Sequence, residues 1–142
     1  DLGVDVDKIS FGGGAGGSRA DYITPRATVD LLRHMSTRDD FDVYLRALPI
    51  LGVDGTLAEV VAADSPAHGK VQAKTGTLYW QNNLDGGYLL QSKALAGYMT
   101  AASGRRLVFA LFVNNAHLDN SDGTGEVGRT LGRVCEKIHE SL

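Results

Sequence analysis

At 142 residues the chain is one domain or a large piece of one. Its 14 basic and 17 acidic side chains leave a formal charge of −3, and only Arg105 and Arg106 stand side by side, so the electrostatic footprint of a nucleic-acid binder is missing. An apolar share of 43% supports a real core, the single cysteine, Cys135, excludes an internal disulfide or a cysteine-rich metal cluster, and no run reaches the ~18 apolar residues of a membrane span.

The chain opens at Asp1 without Met and without a signal-peptide pattern. Val4, Val6 and Ile9 alternate with Asp5, Asp7 and Lys8, which predicts an extended segment over 4–11 already under way. The expectation is therefore a fragment, a processed product or an excised domain. Residues 12–18, Gly-Gly-Gly-Ala-Gly-Gly-Ser, read as a loop. Thr24-Pro25 starts a helix, with the threonine as N-cap and the proline in the first turn. Ala27, Leu31, Leu32 and Met35 follow at helical spacing.

A polar turn over 36–40 leads to a second short helix around 40–47. Pro49, Gly52 and Gly55 punctuate a connection in which Asp54 is expected to cap another short helix carrying Leu57, Val60 and Val61. Three strands are predicted next, over about 70–78, 94–102 and 106–114, in one antiparallel sheet. Ser103-Gly104 supplies the tight turn between the last two. The nearly unbroken apolar run Leu107 to Val113 predicts burial on both faces. A closing helix over about 124–141 presents Val127, Leu131, Val134 and Ile138, with Gly125, Gly128 and Gly132 allowing close packing on the sheet. The whole reads as α+β: helices, then a three-stranded antiparallel meander, then a C-terminal helix, over 1–142 with no internal boundary. Cys135 is expected in the core.

The chemical signal is Lys74-Thr75-Gly76-Thr77 on the first strand. Lys74 offers fixed positive charge and Thr75 a hydroxyl donor, both suited to a carboxylate. Gly76 lets a ligand approach the strand, and the Thr77 amide suits a developing oxyanion. Lys-Thr-Gly is the third motif of β-lactamases and penicillin-binding proteins.

Other patterns point nowhere as specific. Gly12 to Gly17 satisfies Gly-x-Gly-x-x-Gly, but a dinucleotide site needs a helix at the last glycine, and Ser18 to Ile23 intervenes. His34, His68, His117 and His139 form no close helical pair for a metal. Asp119 to Gly123 lacks the spacing of an EF-hand. There is no Gly-x-Ser-x-Gly elbow. No cofactor is implied.

Several segments in one order resemble a known family. Leu48 to Leu57, Gly69 to Leu78 and Ala94-Leu95-Ala96-Gly97-Tyr98, preceded by Gly13 to Arg19 and Thr24-Pro25-Arg26, resemble the D-alanyl-D-alanine carboxypeptidase/endopeptidase branch of penicillin-binding proteins. Leu107 to Ala110 and Val113-Asn114-Asn115 continue the likeness, which runs from about residue 12 to 140.

The resemblance implies part of a β-lactamase/transpeptidase-like domain of a serine acyltransferase. The implied substrate is a peptidoglycan stem peptide, with β-lactams as inhibitors, in a periplasmic or cell-surface enzyme. Lys74, Thr75, Gly76 and Thr77 would be its catalytic-site residues.

Two departures stand out. Gly13, Ala15 and Gly17 replace the family's Asp, Ser and Leu in the glycine loop. The link from Tyr79 to Lys93 is longer than the family's, and its Trp80, Asn82, Asn83 and Asp85 are candidates for a site rim, with a hydrophobic plug the other reading of Trp80. Neither Ser-x-x-Lys nor Ser-x-Asn occurs here. By the resemblance both belong upstream, so the missing N-terminal part would be this chain's first partner. A β-lactamase and a non-catalytic scaffold of the same fold are the alternatives.

Overall fold

The computed structural model describes residues 3–142. The opening differs from the extended segment expected at 4–11. Val6–Lys8 form a 3-10 turn, because the Asp5 carboxylate accepts from the Asp7 N–H. Within that stretch the strand is confined to Ile9–Ser10 (β1), paired antiparallel with Tyr22–Ile23 (β2) across the glycine loop. Helix α1 spans Pro25–Met35, and its Thr24 hydroxyl accepts from the Ala27 N–H at 3.1 Å as an N-cap should. Helix α2 is Phe41–Arg46. The next expected helix reduces to a 3-10 turn at Gly55–Leu57. Asp54 does not cap it. Its carboxylate instead accepts from the Ile50 N–H at 2.7 Å and closes the preceding turn.

Three long strands follow: β3 (Val71–Gln81), β4 (Tyr88–Thr100) and β5 (Arg106–Leu118). They form one antiparallel sheet in the order β3-β4-β5. Each outruns its predicted range. The expected long link from Tyr79 to Lys93 is mostly strand, a hairpin arm with a tight turn at Asn82 to Gly87 and a register shift at Leu78/Tyr79. Asn82 N–H donates to Gly87 O at 2.7 Å, and Gly86, at φ +77°, supplies the left-handed turn residue. The Ser103-Gly104 turn forms as expected, with Gly104 N–H donating to Ala101 O.

Helix α3 (Gly123–Ser141) packs on one face of the sheet. There Val71, Ala73, Leu95, Met99 and Phe109 meet Leu131 and Cys135. The buried stripe is Leu131, Gly132, Cys135 and His139, with Ile138 packed against the same core as expected; Val134, expected inward, is exposed, and Gly132 faces the Val60 segment. A Cβ on Gly132 would stand 2.6 Å from Val60 Cγ1.

Helices α1 and α2 cover part of the opposite face, where Leu32 and Phe41 surround Tyr98. The Tyr98 hydroxyl donates to Leu32 O at 2.8 Å, and its ring meets Phe41 edge-on at 5.0 Å. Strand β5 does send apolar side chains to both faces, but it is an edge strand, and Phe109 alone is buried in it. In mid-sheet Gly97 opposes Ala73, and a Cβ there would overlap the Gln72 carbonyl.

Candidate functional site

Strand β3 is an edge, and its backbone orientation follows from two hydrogen bonds. The Ala73 N–H donates outward to Pro49 O, and the Leu51 N–H donates to Val71 O. With a two-residue period, the Thr75 and Thr77 amides turn to that same outer side, away from β4. The side chains alternate as well. Val71 and Ala73 enter the core beneath α3. Thr75 and Thr77 continue on that face, while Lys74 and Gly76 belong to the other with Gln72, whose amide donates to Leu45 O beside α2.

Lys74 is exposed and bends over the strand edge, where Nζ donates to Thr75 O at 2.8 Å. The Thr75 hydroxyl donates to Thr56 Oγ1 at 3.0 Å. Two cavities flank the motif. One, of about 450 Å³, lies between β3, the Gly55–Leu57 turn and α3, and Thr56, Thr75, Thr77, Lys93 and Arg129 reach it. The other, of about 710 Å³, lies on the opposite face between Gly76, Phe112 and the glycine loop.

The loop itself is held by a residue the sequence reading passed over. The Asp21 carboxylate accepts from Gly12 N–H at 2.7 Å and from Ser18 N–H at 3.2 Å, so one side chain ties both ends together. An aspartate just beyond a polyglycine run was the available signal. Lys93 was also missed. It stands opposite Thr77 on β4 and donates to its hydroxyl at 2.8 Å.

The expected rim residues lie elsewhere. None of Trp80, Asn82 and Asn83 lines either cavity. Trp80 is half-buried on the hairpin arm beneath Arg19, whose guanidinium carbon is 4.4 Å from the ring centroid. Asn82 and Asp85 shape the turn, accepting from Leu84 and Gly87 N–H respectively. Asn83 is exposed. His139 serves the fold: a carbonyl only accepts, so Nδ1 carries the proton donated to Thr100 O at 2.7 Å. Among the described residues no group of three or more His, Cys, Asp or Glu is arranged to hold a metal, and no helix is long and apolar enough to cross a membrane.

The chain and its fold have counterparts among known proteins. Residues 1–130 match the D-Ala-D-Ala carboxypeptidase 3 (S13) family, and the chain belongs to that family. Among relatives, it is 33% identical over 113 residues to the D-alanyl-D-alanine carboxypeptidase DacB of Haemophilus influenzae, covering 79% of this chain and 21% of that protein. It is 33% identical over 121 residues to the D-alanyl-D-alanine carboxypeptidase of an Actinomadura species, covering 82% of this chain and 20% of that one. The chain thus spans about a fifth of these relatives' length.

Among solved structures, penicillin binding protein 4 (dacB) of Haemophilus influenzae superposes with a TM-score of 0.65 at 25% identity, over 94% of this chain and 29% of that one. It has also been solved with a β-lactam. A predatory endopeptidase of Bdellovibrio bacteriovorus, in complex with its immunity protein, shares the fold at a TM-score of 0.60 and 19% identity, over 96% of this chain and 34% of that one.

Proposed function

We propose that this chain is the C-terminal, substrate-binding part of a serine-type D-Ala-D-Ala carboxypeptidase/endopeptidase of the periplasm or cell surface. It acts on peptidoglycan stem peptides, and β-lactams inhibit it. A serine upstream attacks the penultimate carbonyl, D-Ala leaves, and water hydrolyses the acyl-enzyme. The observation that carries this reading is the outward turn of the Thr75 and Thr77 amides on an open strand edge, beside an exposed Lys74. A substrate laid along that edge finds, in the Thr77 amide, a backbone donor for the oxyanion that serine attack creates. Its terminal carboxylate finds the Thr75 hydroxyl and the Lys74 charge.

Steady-state turnover by the full-length enzyme tests the assignment. Lys74→Ala lowers kcat/KM on a D-Ala-D-Ala peptide by roughly 10²-fold, about 2.7 kcal/mol. Folding is unaffected, because an exposed strand lysine contributes little to stability. Normal turnover by folded Lys74→Ala enzyme removes the assignment.

A further inference from the structure

The cavity under the threonine face of β3 has more positive than negative groups. Lys93 and Arg129 reach it, against one carboxylate, that of the exposed Glu59. Neither cation makes an ion pair among the described residues. Lys93 is half-buried, and burial draws its pKa below the usual lysine value. An ammonium held there without a counter-ion is poised to gain from one.

Its side-chain hydrogen bond has a consequence for Thr77. An ammonium only donates, so Thr77 Oγ1 accepts at 2.8 Å, and the hydroxyl hydrogen is left to donate elsewhere. The cross-strand pairing of Thr77 with Lys93 sets this contact, and Gly128 makes room for it. A Cβ on Gly128 would stand 3.3 Å from Lys93 Cε and 3.7 Å from Nζ. Lys74 meanwhile belongs to the opposite face and reaches only the strand edge.

We propose that Lys93 is a second cation for the substrate's terminal carboxylate, binding it from the α3 side of β3 together with the Thr77 hydroxyl that it turns outward. Arg129 adds positive potential to the same cavity. The inference rests on the carboxypeptidase reading above and extends it to a residue outside the Lys-Thr-Gly motif. A singly charged planar anion suits the place: the carboxylate accepts from the ammonium and the hydroxyl at once. A substrate without that charge gains nothing from Lys93.

The test compares a peptide ending in D-Ala-D-Ala with its C-terminal carboxamide, in the full-length enzyme. Lys93→Met keeps the unbranched apolar stem of the side chain and removes the charge. It raises KM for the carboxylate peptide roughly tenfold or more, with a smaller change in kcat, and changes carboxamide kinetics far less. The preference for carboxylate collapses accordingly. Lys93→Arg restores most of it. Thr77→Val removes the hydroxyl and keeps the amide. It reduces the same preference, and the double variant loses less than the product of the two single losses.

Wild-type discrimination in folded Lys93→Met overturns the proposal. If that variant does not fold, wild-type discrimination in Thr77→Val overturns it instead. Lys74→Ala impaired beside a normal Lys93→Met leaves the carboxypeptidase reading standing and removes Lys93 alone. A wild-type enzyme that neither turns over the peptide nor is acylated by a penicillin overturns both.

Discussion

Single residues carry chemistry here in two ways: by facing solvent at a strand edge, or by being shut away from it. Cys135 is fully buried, and desolvation pushes its thiol up to about 12 from an ordinary value of 9.0. Tyr98 rises likewise from 10.0 to about 12. In the unfolded chain both protons leave near their ordinary values, while the folded chain keeps them. The unfolded state therefore binds fewer protons between about pH 9 and 12, and stability falls as pH rises through that window. Urea midpoints measured at pH 7, 9 and 11 drop progressively, and Cys135→Ala makes the drop shallower. An equal slope in that variant rules out the thiol's share. Cys135 was legible as core from its apolar surroundings. Lys93 was not, because a lone lysine in an alternating strand looks like any solvated side chain until pairing sets it opposite Thr77.

At the scale of elements, the helix caps and turns were readable wherever one local rule decided them. Thr24-Pro25 and Ser103-Gly104 behave as their chemistry requires. The hairpin arm at 79–90 was missed, although Asp85-Gly86 between apolar runs is a hairpin signal, because the register shift at Leu78/Tyr79 breaks the alternation. On α3 the expected stripe holds at Leu131 and Ile138 and fails at Val134. Counting large apolar residues favoured Val134, whereas the close approach is made at a position with no side chain.

That difference separates the glycines of α3. At Gly125 a methyl group meets only Arg129 Nη1, at 3.6 Å, so Gly125→Ala gains helix propensity and stabilises by about 0.5–1 kcal/mol. At Gly132 it meets Val60 Cγ1 at 2.6 Å and the Val60 carbonyl oxygen at 3.2 Å. Gly132→Ala therefore destabilises by about 1–3 kcal/mol. Urea unfolding of the two variants gives opposite signs; equal shifts would mean that α3 does not approach Val60 this closely.

For the molecule as a whole, the α+β class and the order of the sheet followed from sequence pattern, whereas the two cavities beside β3 did not, since they are made by segments far apart in the chain. None of the described serines has a lysine three residues on, and a serine hydroxyl without a neighbouring base is a poor nucleophile. The isolated chain, incubated with a reporter penicillin, shows no stoichiometric adduct by intact mass, while a longer piece that includes the serine proposed to lie upstream is labelled. An adduct on a serine of this chain would reveal a nucleophile within it.

Gly97 reaches beyond its own packing. Sliding β4 along β3 by two residues would preserve which side chains face which way, so burial pattern alone resists such a slip weakly. It would carry Lys93 about 7 Å from Thr77. It would also bring Leu95 or Met99 opposite Ala73, where the Gln72 carbonyl leaves space only for hydrogen. Gly97 is therefore an indexing notch: a residue with no side chain fixes the height at which an ammonium on one strand meets a hydroxyl on the next.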